Sequence, residues 1–268
     1  MRTNGYLMES EEEARRLDLK TDPATIERHA MWAGLQAGMR VADLGCGSGK
    51  TTLSLNNITG ASGETIGIDN SEQRIEYAKK YYTAKGIQYE LADIRYDLSS
   101  YGKFDFIWVR FVLEYYGTTA YDIIQNIGQV LKPGGIMCLI DLDYNCLTHY
   151  GLPQRLESAI LGLRRTVEQK SDFDPLAGRK LYSYLYDLAY TDLDVKIEAH
   201  HLIFGELSEV DKYNWTKKVE VGAKLSGYPF DEYDGEYDAF YQDFQKFFSH
   251  PRRFTYTPVI VCRGKKLD

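Results

Sequence analysis

Val41-Ala42-Asp43-Leu44-Gly45-Cys46-Gly47-Ser48-Gly49 is an apolar run that ends in three alternating glycines and passes into Lys50-Thr51-Thr52-Leu53. The pattern reads as a buried strand, a tight turn and the first turn of a helix. Glycine in such a turn permits positive φ and lets a ligand approach the backbone closely, while the helix start offers unpaired N–H groups. Asp69 closes the next apolar run about 20 residues after Gly49, where a carboxylate can accept hydrogen bonds from both hydroxyls of a ribose. The pair of features points to a nucleoside-bearing cofactor. Two rival motifs fail on single positions. A phosphate-binding P-loop ending at Gly49-Lys50-Thr51 needs glycine at Leu44, and a dinucleotide fingerprint needs its third glycine at Lys50.

Outward from this loop, short β-like runs alternate with helical patterns from Met39 to Tyr144, which predicts consecutive βαβ units and a parallel sheet. The runs are Val41–Leu44, Thr65–Asp69, Gln88–Ala92, Phe104–Val109 and Ile136–Ile140. Ser71 is placed to cap a helix with Ile75, Ala78 and Tyr82 on one face, and a second helix runs from about Thr119 to Leu131, stopped by Lys132-Pro133-Gly134-Gly135. Ahead of the first strand, Glu9–Leu19 and Pro23–Leu35 both have helical patterns. Beyond Leu152, helices are expected over Gln154–Lys170, Gly178–Tyr190, Ser208–Leu225 and Glu232–Phe248, with strands at Val195–Phe204 and Phe254–Cys262. The expected fold is α/β, Rossmann-like and doubly wound: a mostly parallel seven-stranded sheet with an antiparallel last strand and helical caps at both ends. One domain is expected over residues 1–268: an N-terminal helical cap (1–37), the cofactor-binding core (38–150), and a C-terminal part (151–268) with a helical insert at 205–250.

The chain has 268 residues, 44% hydrophobic, enough to fill a core of that size. A formal net charge of -7 and a pI near 5.4 argue against a surface built to meet phosphate backbones, so no nucleic-acid partner is expected. No secretory leader pattern and no run of about 18 apolar residues occurs, so the expectation is a cytoplasmic protein with no membrane partner. Cys46, Cys138, Cys146 and Cys262 lack C-x-x-C spacing and read as reduced structural thiols; the five histidines lack ligand spacing, and no metal is expected.

The string Asp43-Leu44-Gly45-Cys46-Gly47-Ser48-Gly49 resembles the first motif of the class I S-adenosylmethionine-dependent methyltransferases, above all the small-molecule branch that includes ubiquinone and menaquinone biosynthesis enzymes. The resemblance runs from about Tyr6 to Tyr144. Asp69-Asn70-Ser71 and Ala92-Asp93-Ile94 match the second and third motifs, Phe104 to Glu114 the fourth strand and its exit, and Leu131 to Gly135 the turn before the fifth strand. It implies that Gly45, Cys46, Gly47 and Gly49 lie against the methionine part of S-adenosylmethionine with Asp43 nearby. Asp69 would bind the ribose, Asn70 the adenosine, Asp93 the adenine amino group and Ile94 the ring face. Arg110 would face the same pocket, and Tyr6 either folds over the cofactor or serves as a hydrophobic staple.

Many relatives carry histidine near position 115, where this chain has Tyr115-Tyr116. Tyr115 and Asp143 are therefore the candidate catalytic residues. Asp141 and Asp143 follow the fifth strand at the edge where open α/β sheets place substrates. Asp143 reads as a base, a contact to a substrate amine, a metal ligand or an ordinary loop cap. Methyl transfer from a sulfonium needs in-line alignment above all, and a base only where the acceptor must lose a proton. The expected reaction is transfer to an oxygen, nitrogen or carbon of a small, largely apolar or aromatic acceptor, with S-adenosylhomocysteine as product. Alternatives are a protein or RNA methyltransferase, a cyclopropane-forming enzyme and a non-catalytic cofactor-binding subunit, in a monomer or homodimer. The Ser208–Phe248 insert and the leading helices are expected to roof the acceptor pocket at the carboxyl edge of the sheet, with about a third of the rings from Tyr228 to Phe248 lining it.

Overall fold

The computed structural model describes residues 22–144 and 148–267. Tyr6, the Glu9–Leu19 helix and Cys146 lie outside them. In chain order the elements are α1 (Pro23–Ala33), β1 (Arg40–Leu44), α2 (Lys50–Thr59), β2 (Glu64–Asp69), α3 (Glu72–Tyr81), β3 (Ile87–Leu91), β4 (Phe104–Arg110), α4 (Ala120–Gly128) and β5 (Leu131–Leu142). There follow β6 (His149–Tyr150), α5 (Gln154–Lys170), α6 (Leu181–Asp187), β7 (Thr191–Phe204), α7 (Glu209–Ser226), α8 (Tyr237–Ser249) and β8 (Phe254–Lys265).

The sheet is ordered β3-β2-β1-β4-β5-β8, with β1 to β5 parallel. β8 runs antiparallel to β5, and β7 pairs along its other edge. The seven expected strands and the antiparallel last one are present. The two-residue β6 is an addition, pairing with Phe254 and Thr255 where β8 extends past the end of β5.

Two apolar layers flank the sheet. On one face Ile26, Ala30 and Ala33 of α1 and Leu55 of α2 pack on Val41, Phe106, Trp108, Cys138 and Val261. On the other, Ile123, Ile124 and Ile127 of α4 and Leu181 and Leu185 of α6 pack on Ala42, Leu44, Ile107, Leu139 and Cys262. Each fully enclosed Leu or Ile contributes ~1.5–3 kcal/mol. α1 has both ends signed in the sequence: Asp22 accepts from the N–H groups of Ala24 and Thr25, Pro23 occupies the first turn, and Gly34 closes the helix at φ 105°. Its place is against α2 and that sheet face, so it is a layer of the sandwich.

The C-terminal insert begins and ends where β7 and β8 extend past the carboxyl end of β5, and it has an apolar core of its own. Trp215 and Ala223 of α7 and Phe240, Phe244, Phe247 and Phe248 of α8 pack on Leu156 and Ala159 of α5 and on Ile203 of β7, as a third apolar cluster. Helical spacing of aromatics here built a small core of its own, because α5, α7 and α8 each carry one apolar face and meet along it. The α5–α6 connection crosses the exit of β4: Gly117 N–H donates to Asp172 O (2.7 Å) and Asp174 N–H to Glu114 O (2.7 Å).

Candidate cofactor and acceptor site

β1, β2 and β4 end side by side, so the loops that leave them converge at the carboxyl edge of the sheet. The glycine-rich loop leaves β1 with Gly45 at φ 77°, Gly47 at φ 55° and Gly49 at φ 90°. Gly45 has a second constraint, because a Cβ there would sit 2.3 Å from Val112 Cγ2 of the β4 exit. A Cβ on Gly49 would fall 2.7 Å from both Ala78 Cβ and the Tyr89 hydroxyl. These two glycines serve the packing of the loop against its neighbours as much as any ligand, a role the motif alone does not reveal.

Asp69, almost wholly buried at the end of β2, ties that strand to the loop. Its Oδ2 accepts from Gly47 N–H (2.9 Å) and its Oδ1 from Ser71 N–H (3.0 Å), with Arg74 Nη1 at 3.8 Å from Oδ1. An ionised carboxylate has about four acceptor positions, so capacity for ribose hydroxyls remains. Asn70, next in the chain, is exposed. Asp93 is bound side-on by Arg95, with Nε at 3.0 and 2.9 Å from its two oxygens. Burial pushes the Asp93 carboxyl up, yet those bonds hold it below the usual carboxylate range. Ile94 lies in the sheet core with Leu98 and Ala120.

Asp43 is buried and accepts the Thr52 hydroxyl at 2.7 Å. Burial raises its carboxyl to about 7, opposed by Thr52 and by the charge of Arg110. Cys46 is buried between the loop and Ile75, Ala78 and Tyr89, and its thiol is pushed up by the same desolvation.

At the β4 exit the chain makes a turn that periodicity could not announce. Phe111 stands at φ 57°, a left-handed conformation that costs a bulky residue ~1–2 kcal/mol. It brings Val112 onto Gly45 and sets the Phe111 ring 4.0 Å from the Arg110 guanidinium and 4.8 Å from His200 of β7. Burial lowers Arg110 to about 10, against the pull of Asp43 and Asp141, so it stays a cation at neutral pH. The following turn holds Tyr115 5.7 Å from the ring of Phe173. Beneath it, wholly buried Asp141 accepts from the N–H groups of Glu114 (3.0 Å) and Leu142 (2.9 Å). Desolvation, then the adjacent Glu114, push the Asp141 carboxyl well up from the ordinary carboxylate range.

Asp143, immediately after β5, is gripped by Arg179: Nε to Oδ1 at 2.8 Å and Nη2 to Oδ2 at 2.9 Å, with the guanidinium stacked over Tyr144. The structure thus gathers Asp43, the glycine loop, Asp69, Asn70 and Asp93 on one side of the β4 exit. Arg110, Tyr115 and Asp143 stand at the exits of β4 and β5. Sequence reasoning did not single out Arg95, Arg74, Tyr116, Phe111 or Arg179. Tyr116 lies on the side of Asp93, with Arg95 5.6 Å from its ring centre. The adjacent Tyr115-Tyr116 pair was the available signal, since the turn sends the two rings to different neighbours.

A family model described as a methyltransferase domain matches residues 35–187, more than half of the chain and every loop just described. This chain belongs to that family. The segment is a class I S-adenosylmethionine-dependent methyltransferase domain. It is similar to demethylmenaquinone methyltransferase of Staphylococcus aureus, 27% identical over 139 residues that cover 47% of this chain and 56% of the relative. The enzyme of the same name from Lactococcus lactis is 30% identical over 137 residues, covering 47% and 54%. The chain therefore spans about half the length of these curated relatives. The likeness in fold reaches further: a cyclopropane synthase from Mycobacterium tuberculosis aligns over 91% of this chain and 81% of its own with a TM-score of 0.55, at 16% identity.

Proposed function

We propose that this chain transfers the methyl group of S-adenosylmethionine to a small aromatic or quinol-like acceptor. The observation that carries the reading is the grouping, around one β4 exit, of the glycine loop, Asp69 and Asp93 with the rings of Phe111, Tyr115 and Phe173 and the cation of Arg110. The residues present fit the cofactor: left-handed glycines form the loop, Asp69 retains acceptor capacity, and Asn70 and Tyr116 border the adenosine side. When bound, the cofactor supplies an electrophilic methyl on a good leaving group, which leaves alignment and exclusion of water to the protein.

Arg110 is suited to hold a carboxylate of the cofactor or the developing oxyanion of an acceptor, since it makes no ion pair among the described residues and is partly buried. Asp143 acts in this reading through Arg179, as a positioning residue that fixes the guanidinium and Tyr144 at the mouth of the site. Both Asp143 oxygens already accept charge-assisted hydrogen bonds from Arg179. Tyr115, packed on Phe173, borders the acceptor. The curated relatives are named for demethylmenaquinone, and an acceptor of that chemical class suits a pocket of rings and one cation.

The test is a screen of phenols, hydroquinones and amines with S-adenosylmethionine, read by release of S-adenosylhomocysteine. Turnover confined to phenols and hydroquinones is expected. Turnover with peptides or RNA alone would overturn the small-acceptor reading.

A further inference from the structure

Away from the cofactor loops, β6, the end of α8 and the start of β8 border an open cavity of about 260 Å³. Its charge is unlike that of the whole chain, which carries a formal -7. Lys246, Arg252 and Arg253 line it, against one carboxylate, Asp243, which is engaged by the Tyr233 hydroxyl at 3.1 Å. None of the three cations forms an ion pair among the described residues. Lys246 and Arg252 are exposed at the rim, and Arg252 Nη1 lies over Gly151, 4.0 Å from where a Cβ would stand.

Arg253 is the decisive group. It is 2% exposed, its Nε donates to Phe248 O at 2.7 Å, and both Nη nitrogens are buried without a hydrogen-bond partner among the described residues. Glu206 and Asp211 act on it only from beyond ion-pair distance. A buried guanidinium is unfavourable unless something accepts its protons, and an anion beside it would do so. The cavity beside it is also bordered by Pro153, which precedes the uncapped N-terminus of the 17-residue α5, a further source of positive potential. Tyr150 and Phe247 supply an apolar wall, and the volume exceeds that of a bare phosphate.

We propose that this cavity is a second ligand site for a small phosphorylated molecule. Its phosphate sits on the Arg253 fork with Lys246 and Arg252 at the rim, and its organic part lies against Tyr150 and Phe247. Guanidinium forks match the oxygens of an oxyanion in pairs, which favours phosphate over a spherical ion such as chloride, and three cations favour its higher charge.

The experiment titrates the full chain, at constant ionic strength, with inorganic phosphate, glycerol phosphate and chloride, following melting temperature and heat of binding. Saturable binding of glycerol phosphate, tighter than that of inorganic phosphate and not displaced by S-adenosylhomocysteine, is expected. K246A/R252A, which removes only exposed side chains, should weaken it about tenfold or more with the unliganded melting temperature unchanged. R253K, which keeps the charge but loses the fork, should weaken it likewise. Equal effects of phosphate and chloride on the wild type, or affinity unaltered in both variants, would overturn the proposal. Competition by S-adenosylhomocysteine would also overturn it, by placing the phosphate at the cofactor site.

Discussion

Asp69 Oδ2 accepts the N–H of Gly47 at 2.9 Å, so the last residue of β2 fixes the middle glycine of the loop that leaves β1. The same carboxylate that would meet a ribose also sets the loop that would meet the rest of the cofactor.

Asp69→Ala is expected to weaken S-adenosylhomocysteine binding tenfold or more, since a hydrogen bond to a charged group contributes roughly 1.5–3 kcal/mol. Asp69→Asn, which keeps an acceptor for Gly47, should fall between wild type and Ala. Calorimetric titration of folded variants checks this; equal affinity in all three would remove Asp69 from the cofactor site.

Asp43 makes stability depend on pH. Its folded carboxyl is raised to about 7 from an ordinary 3.8, so the fold favours the protonated form. Stability from this group is complete below about pH 4 and is lost as pH rises through 7, by up to ~4 kcal/mol from the shift. Asp43→Asn cannot ionise. The melting temperature of the variant relative to wild type should therefore climb between pH 5 and pH 8, and a difference that is flat with pH would contradict the buried, raised carboxyl.

Arg179→Ala and Asp143→Ala should cost similar activity, and the double variant little more, if Asp143 works by holding Arg179. Stability should change by only ~0.5–1 kcal/mol, because the Arg179 side chain is 42% exposed and solvent screens the pair. A loss in Asp143→Ala far beyond that in Arg179→Ala, with a shifted pH–rate profile, would instead mark Asp143 as a base.

Gly45→Ala should destabilise the domain by ~2 kcal/mol or more. The residue is at φ 77°, and the new methyl would meet Val112 Cγ2 at 2.3 Å. Adding Val112→Ala should recover part of the loss, leaving the backbone strain. Denaturant unfolding of the two variants separates these contributions; no recovery would mean that strain alone accounts for the loss.

The strands from Val41 to Ile140 and helix α5 were legible within a residue or two at most boundaries, apart from the longer β5. Their apolar spacing repeats inside each element and needs no partner to be seen. Asp69 and the glycine loop were legible for a related reason: a strand end, a turn and a helix start are local, and their spacing fixes what they can hold. The β6 pairing, the bulge near His200 and the left-handed Phe111 were not legible, since each depends on what another strand imposes.

What the sequence determined by itself, then, was the order of elements, the doubly wound sheet and the placement of glycines and carboxylates at strand ends, all set by short-range periodicity and turn chemistry. Tertiary structure alone decided that Asp143 would meet Arg179 across 36 residues and that the insert's rings would pack on α5. It also left the two Nη nitrogens of Arg253 without a hydrogen-bond partner among the described residues, beside a cavity. Side-chain pairing at long range depends on where whole layers come to rest, and that position is fixed only when the competing apolar faces of all the helices have found their partners.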